Sequence, residues 1–440
     1  MKVHVVTFGC SASQASAEIM RAIVRDKGHA LVPLRDADVL VINTCTVKYA
    51  TEQKILHIIR EAADSGKEVI VTGCMPEVQL EDILEQNPQA HILGVNSVSR
   101  VGELLDSLGT TGKGSGKKRM QIFLHQPEGF QSVPRIRYNP NIHICQLSQG
   151  CNYSCSYCIV SVARGKLRSF GPEEITADIR RAVSEGCREI WLTSQDNGQY
   201  GTDRLGTGKD ILLPELLRMI CAIPGQFRVR VGMMNPFSLL PILYDLLDAF
   251  DNEKVYKLLH LPVQSASDGV LRNMNRYHSI EEANHVIRQF RSRFDGLTLF
   301  TDIIVGFPGE TEEDFKKSVE WVQEFRPDKV NISRYTPRPR TKAWDFHNTD
   351  SRILTRRSNE LHKICRSTKF ATKNKLIGWE GNVFLSKEAK KQGTMARTDS
   401  YLPVVIPQCN LEPGVTCRVL IYDTTPGYFL GRLLGSHGET

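Results

Sequence analysis

Three rhythms of apolar and polar positions follow one another along the chain. From residue 1 to about 108, short apolar runs alternate with amphipathic stretches: VHVVTF, SAEIMRAIVRDKG, VLVINT, EQKILHIIREAADSG, EVIVTG and a helix around LEDILEQ. Apolar runs of strand length separated by helical periods imply a parallel sheet with both faces covered. The stretch SLGTTGKGSGKKRMQ then has no apolar period, and it marks residues 109–136 as a linker that carries Lys117, Lys118 and Arg119. From 137 to 370 the strand and helix rhythm returns on a larger scale, from NIHICQLSQG through EIWLTSQD and LTLFTDIIVGFPG to KVNISRYTP. At least five such units fit a full or partial (β/α) barrel, whose chemistry lies at the C-terminal ends of its strands. From 371 to 440 short alternating strands broken by Gly and Pro, such as YLPVVIP and VTCRVLIYDTTPGY, predict a small antiparallel β-barrel.

Composition changes this picture little. A chain of 440 residues is too long for one core, and 41% hydrophobic with 24% charged residues is ordinary for a soluble protein. No apolar run reaches the ~18 residues that a membrane helix needs, and MKVHVVTFGC opens on a strand pattern instead of a charged leader, so a cytoplasmic protein is expected. A net charge of +7 permits a nucleic-acid partner without requiring one.

The cysteines change it more. Twelve of them in a chain of this kind argue for ligation over disulfides, because the cytosol keeps thiols reduced. Cys145, Cys187, Cys221, Cys365, Cys409 and Cys417 lack ligand spacing and read as small apolar fillers. Cys151, Cys155 and Cys158 form a C-x3-C-x2-C run on the loop after the first barrel strand. One loop can wrap three thiolates around three corners of an iron–sulfur cubane and leave the fourth iron open. A zinc site or a chance grouping are the alternatives, although zinc wants a fourth ligand at suitable spacing. Cys10, Cys45 and Cys74 are far apart in sequence, yet each directly follows an apolar strand. In an open parallel sheet such positions share one edge, so three thiols can meet there. Three unrelated buried cysteines at strand ends are the plainer reading.

The C-x3-C-x2-C run with Tyr157 before its last cysteine resembles the signature of the radical S-adenosylmethionine enzymes. Two cysteine triads, a barrel and a terminal β-barrel together resemble the methylthiotransferases over nearly the whole chain. The supporting motifs are T-x-G-C (Thr7–Cys10), N-T-C (Asn43–Cys45), G-C at Cys74, L-T-S-Q-D (Leu192–Asp196) and TDIIVGFPGET (Thr301–Thr311). Two departures stand out: Ser13 where the family often has Asn, and Arg340 where it often reads R-P-G-T.

The resemblance implies two [4Fe-4S] clusters, one on each triad, with S-adenosylmethionine bound at the open iron of Cys151, Cys155 and Cys158. One S-adenosylmethionine would give a methyl group to sulfur on the auxiliary cluster, and a second would give the radical that activates the substrate carbon. Gln195, Asp196 and Tyr157 become candidate cofactor contacts, with loop capping and loop packing as the plainer alternatives. Gly306, Pro308 and Gly309 read as shaping a tight loop. The tail resembles an RNA-binding TRAM domain. The forms GCSASQAS and CIVSVARGKL look most like the archaeal and eukaryotic branch, whose substrate is threonylcarbamoyl-adenosine at position ~37 in the tRNA anticodon loop, an exposed single-stranded base. An isopentenyl-adenosine, a ribosomal-protein aspartate or a non-catalytic RNA-binding role are the other readings. An electron donor such as a ferredoxin or flavodoxin is implied, and a monomer is expected. The basic run of Arg334, Arg338, Arg340, Lys342, Arg356, Arg357, Lys363, Arg366, Lys369, Lys373 and Lys375 is either a solvated helix face or a set of phosphate contacts.

Overall fold

The structure is a computed structural model that describes residues 1–110, 119–124, 133–206, 210–388, 393–409 and 411–434. Lys117, Lys118 and most of the expected linker lie outside them.

The first unit alternates β1 (Lys2–Thr7), α1 (Ser11–Asp26), β2 (Ala30–Leu31), β3 (Val39–Thr44), α2 (Tyr49–Asp64), β4 (Glu68–Gly73), α3 (Met75–Val78), α4 (Leu80–Gln86), β5 (His91–Leu93) and α5 (Val101–Thr110). Its strands form a parallel sheet in the order β2-β1-β3-β4-β5-β6. The edge strand β6 (Gln121–Ile122) comes from within the expected linker, so part of that segment is ordered by pairing with β5 instead of spanning freely. Apolar side chains from β1, β3 and β4 are buried on both faces, one against α1 and α5 and the other against α2, which is why the strands read as unbroken apolar runs.

The second unit is an arc of six parallel strands: β7 (Ile142–Gln146), β10 (Glu189–Thr193), β11 (Arg228–Val231), β12 (Leu258–His260), β13 (Thr298–Val305) and β14 (Lys329–Arg334). They form two three-stranded sheets, β11-β10-β7 and β12-β13-β14, with a bridge between Val229 and Val255 at the junction. The barrel is therefore partial and has two edges, β7 and β14. A small ribbon of β8 (Ser148–Gln149) and β9 (Arg168–Ser169) closes the loop between β7 and β10, which also contains α6 (Ile159–Arg164). The outer helices α7 (Pro172–Ser184), α8 (Leu213–Cys221), α9 (Pro236–Leu239), α10 (Leu243–Phe250), α11 (Asp268–Asn273), α12 (Ile280–Arg293) and α13 (Glu312–Phe325) follow in order. Strand side chains alternate. Ile190, Leu192, Val229, Val231, Leu299 and Ile303 pack outward into the main core, while Ile142, Ile144 and Trp191 face inward onto Ala15 of α1. The first unit thus lies against the inner side of β7, fixed by the Gln146 amide donating to the Ala12 carbonyl at 3.0 Å.

The last helix, α14 (Ser351–Asn374), packs along β14 and leads to a closed five-stranded barrel of β15 (Glu380–Glu388), β16 (Gly393–Arg397), β17 (Pro403–Pro407), β18 (Thr416–Thr424) and β19 (Phe429–Leu433). This barrel docks at the N-terminal end of the arc. Arg228, the first residue of β11, pairs with Asp399 at 3.0 Å, Ser386 donates to Glu189 at the start of β10, and the rings of Tyr256 and Tyr401 meet at 4.9 Å. The cysteine loops emerge at the opposite end. No helix among the described residues is long and apolar enough to cross a membrane.

Candidate active site

Parallel pairing of β1, β3 and β4 carries Cys10, Cys45 and Cys74 to the same edge of one sheet. The motif residues around them tie the three strand ends together. Asn43 donates its amide to Thr7 Oγ1 at 3.2 Å and to the Ser13 carbonyl at 2.7 Å, and Thr44 Oγ1 donates to the Thr72 carbonyl at 2.6 Å while accepting from the Met75 N–H. Gly73 has φ +92°, and a Cβ there would lie 2.5 Å from the Thr44 carbonyl oxygen, so only glycine lets β4 turn this close to β3. Ser13, where the family often has Asn, puts its hydroxyl 3.8 Å from the Cys10 sulfur.

The second triad sits on the loop between β7 and α6. Gly150 has φ +79° and presses on the carbonyl of Lys166, and the Cys151 N–H donates to the Gly165 carbonyl at 3.1 Å, so the loop closes on itself. Ser156 anchors it to the end of α11 through the Asn273 and Met274 carbonyls, and Asn275 donates to the Ser154 carbonyl at 2.8 Å.

Each triad has its own arginine. Arg164, the last residue of α6 and 7% exposed, reaches out of the loop of the second triad to the first, where its charge faces Cys74, Cys10 and Cys45. Its position follows from α6 packing on α3, next to the small cluster of Cys74, Val95 and Ala163. Arg276 donates to the Cys155 sulfur at 3.6 Å and is held by Asn235 Oδ1 at 2.6 Å and the Pro262 carbonyl at 3.1 Å. Gln199 donates to the Cys151 sulfur at 3.1 Å.

These surroundings set the thiol charges. Cys10 is reachable by solvent but closely surrounded; that partial burial raises its pKa, yet Arg164 and donors from Ser13 and Ala12 outweigh it and the net shift is downward. Burial, with repulsion from Cys74 and Cys10 added, pushes Cys45 up to about 11, and burial raises Cys151 to about 11 and also raises Cys158. Thiols of this kind ionise when a metal or a cation compensates them.

Three thiols per triad are the soft donors that iron–sulfur clusters and soft metal ions take. Among the described residues the ligand atoms of His143, Cys145 and Asp178 lie within 4.8 Å of one another. That last group is an ion network: Asp178 is already paired with Arg135 at 3.0 Å and with Arg181, and His143 donates to it at 2.9 Å.

Gln195, Asp196 and Tyr157 lie around the second triad. Asp196 is buried, and its carboxylate accepts from the N–H groups of Gly198 and Asn235, from Ser238 Oγ and from Gln199 Nε2. It caps the strand-end loops. Gln195 accepts from the Gly150 N–H at 2.7 Å. Tyr157 lies beside the Arg276 charge and meets Phe307 edge-on at 6.4 Å. Gly306 has φ +72° in a loop whose N–H is held by Glu310. The sequence motifs did not single out Arg164, Arg276 or His278. His278 is 6% exposed, stacks 5.8 Å from Phe237 with neither ring nitrogen bonded, and burial followed by Arg276 pushes it down to about 3, so it stays neutral.

Residues 145–322 match the radical SAM superfamily, and residues 2–94 match the uncharacterized protein family UPF0004. A "probable threonylcarbamoyladenosine tRNA methylthiotransferase" of Pyrococcus horikoshii is 40% identical over 99% of this chain and all of its own length. The chain belongs to the threonylcarbamoyladenosine tRNA methylthiotransferase family. Relatives of that name in Danio rerio and Drosophila melanogaster are 33% and 35% identical over 98% of this chain and 78% of theirs. Among solved structures, the radical S-adenosylmethionine methyltransferase TsrM from Kitasatospora setae aligns with TM-score 0.55 at 14% identity over 78% of this chain and 75% of its own, a likeness of fold.

Proposed function

We propose that this chain is a tRNA methylthiotransferase that converts N6-threonylcarbamoyladenosine at position 37, next to the anticodon, to its 2-methylthio derivative. The observation that carries this is the pair of cysteine triads joined through α6, which begins next to Cys158 and ends with Arg164 against Cys74. Cys151, Cys155 and Cys158 would hold one [4Fe-4S] cluster with S-adenosylmethionine, and Cys10, Cys45 and Cys74 an auxiliary [4Fe-4S] cluster. When bound, these groups supply the one-electron chemistry that functionalises an aromatic C–H no side-chain base can deprotonate, and the sulfur that replaces it.

The protein's own contribution is to hold and polarise. Arg164 and Arg276 set positive charge against each triad, where burial makes an uncompensated anion costly. Gln199 orients Cys151, and Asp196 fixes the loop that carries Gln199. Gln195, Asp196 and Tyr157, around the second triad, would contact S-adenosylmethionine. Where β12, β13 and β14 line it, the inner face of the arc carries polar groups: His260 pairs with Asp302 at 2.8 Å, and Asn331 donates to Asp302 at 2.8 Å, which offers hydrogen-bonding groups to an incoming base. The terminal five-stranded barrel corresponds to a TRAM domain, the units divide near 108, 136 and 370, and a low-potential electron donor such as a ferredoxin or flavodoxin serves a monomeric cytoplasmic enzyme.

The test is a mass-spectrometric nucleoside profile of tRNA from a strain lacking the gene, against its parent and a strain complemented with this chain. Loss of the methylthio form with build-up of threonylcarbamoyl-adenosine, restored by the chain but not by Cys74→Ala, is expected. An unchanged profile in a strain with no second copy refutes the assignment.

A further inference from the structure

The structure divides the basic run after the barrel into two sets. Arg338 is buried against Glu52 and donates to the Val47 carbonyl, Arg356 pairs with Glu312 and Glu360, and Arg357 pairs with Glu310 and Glu312. Arg340 donates to the Glu77 carbonyl at 2.8 Å. These four cations join parts of the protein to one another and have little left for a ligand.

Arg334, Lys363 and Arg366 differ. Among the described residues none has a carboxylate partner; Arg334 donates only to Thr355 Oγ1, at 3.1 Å. Together with Ser358, Asn359 and His362 they line a cleft of about 520 Å³ between the end of β14 and the outer face of α14. The helix residues 359, 362, 363 and 366 fall at i, i+3, i+4 and i+7, so α14 presents them as one stripe. Arg334 is the last residue of β14, at the end of the arc from which the cysteine loops emerge. The chain continues from it to Lys342, which reaches Ser154 Oγ at 3.4 Å within the loop of the second triad. Lys342 at that loop and Arg334 at the cleft thus stand eight residues apart on one stretch of chain, neither with a carboxylate partner among the described residues, while the five-stranded barrel docks at the far end of the arc.

We propose that this cleft binds backbone phosphates of the RNA whose base enters the site, with Arg334, Lys363 and Arg366 as the phosphate ligands and the Ser358, Asn359 and His362 side of α14 as its wall. The inference rests on the tRNA reading given above and adds to it the surface that holds the stem. Three guanidinium or ammonium groups without a carboxylate partner among the described residues, the first of them at the end where the cysteine loops emerge, match a polyanion that must present one base there. The contacts fix position and affinity and read no sequence.

The test compares the full-length protein with the triple variant Arg334→Ala/Lys363→Ala/Arg366→Ala and with the control Lys316→Ala/Lys317→Ala, two exposed cations on α13. Binding of fluorescein-labelled tRNA transcript and of its isolated anticodon stem-loop is followed by anisotropy from about 50 to 300 mM salt, beside circular dichroism and RNA-free cleavage of S-adenosylmethionine by reconstituted protein. The triple variant is expected to bind both RNAs roughly 10- to 100-fold more weakly at about 100 mM salt and to lose about two to three units of the log–log salt slope. The control, the fold and the RNA-free cleavage stay at the wild-type level. A triple variant with wild-type affinity and slope overturns the proposal and leaves the tRNA reading standing. Failure of the wild type to bind tRNA sinks that reading instead. Equal competition by duplex DNA of the same length reduces the cleft to a general polyanion surface and also overturns the proposal.

Discussion

Replacing Arg164 by Gln removes one positive charge from beside the first triad while keeping a hydrogen-bond donor of similar reach. Arg164 is 7% exposed, and its charge faces all three thiols of that triad. On the reading that the first triad holds a [4Fe-4S] cluster, reduction adds an electron to a group that three thiolates already make negative, so the neighbouring cation stabilises the reduced form more than the oxidised one. With an effective dielectric constant of about 20 and separations of about 4 to 8 Å, the attraction is roughly 2 to 4 kcal/mol. At 59 mV per tenfold change for one electron, this is a fall in reduction potential of roughly 90 to 170 mV. The assay is an EPR-monitored redox titration of reconstituted protein carrying Cys151→Ala, Cys155→Ala and Cys158→Ala, so that only the first triad holds a cluster. Arg164→Lys, which keeps the charge, should recover most of the potential, and Arg276→Gln, at the other triad, should leave it unchanged. A shift under about 30 mV in Arg164→Gln, with full iron content, refutes the electrostatic role.

Three further outcomes follow from buried or strained groups. Arg338→Ala strands the carboxylate of Glu52, which is 5% exposed, and should cost about 3 to 5 kcal/mol in chemical denaturation, largely regained when Glu52→Gln is added; an unchanged midpoint refutes this. Arg340 holds φ +64° where the family often has glycine, so Arg340→Gly should be more stable than Arg340→Ala by about 1 kcal/mol, since both lose the bond to the Glu77 carbonyl and only glycine relieves the backbone; equal midpoints refute it. Burial, followed by repulsion from Arg135, pushes His143 down to about 4, against about 6.5 in an unfolded chain. A neutral folded histidine contributes stability that is complete above pH ~6.5 and is lost as pH falls toward 4, so unfolding free energy should drop by about 2 kcal/mol between pH 7 and 5, and a His143→Gln variant should show a shallower slope.

Much of the fold was legible because the strands announce themselves locally. VLVINT is buried along its whole length, and its pairing with VHVVTF and EVIVTG places the three following cysteines together without further information. The same local signal could not find Arg164 or Arg276, because each acts on sulfurs far from it in sequence: Arg164 serves Cys74 across the boundary between two sheets, and Arg276 serves Cys155 from the loop after α11. Arg276 interrupts no period and completes no motif, and Arg164, although it lies within CIVSVARGKL, carries no mark there of the sulfurs it faces. Alternation predicted the terminal barrel's strands but said nothing of where it docks, since that depends on Asp399, Ser386 and Tyr401 meeting the strand starts of the arc. The basic run was ambiguous for a related reason: whether an arginine faces solvent or a buried glutamate is decided by residues hundreds of positions away, as with Arg338 and Glu52. The short pair in the expected linker, Gln121–Ile122, became a strand because the edge of β5 was open to receive it.

The placement of Arg164 has a consequence for how the two sites depend on each other. The first sheet alone brings Cys10, Cys45 and Cys74 together, but the cation beside them comes from α6, six residues after Cys158. Burying three thiolates without that charge would be opposed by desolvation and by their mutual repulsion, the same repulsion that raises Cys45. The loop holding the second triad must therefore be folded before the first triad reaches its full affinity for metal, because Gly150 and Gly165 set the direction in which α6 leaves that loop. Loosening the second loop should accordingly weaken the first site even though none of the first site's ligands changes. A Gly150→Ala variant, whose added Cβ meets the Lys166 carbonyl, should lose iron from both triads, whereas Gly73→Ala should lose it only from the first. Iron and sulfide content, measured in each variant combined with cysteine-to-alanine replacement of one triad at a time, separates the two sites. Loss confined to the second triad in Gly150→Ala would show that Arg164 finds its place without the loop.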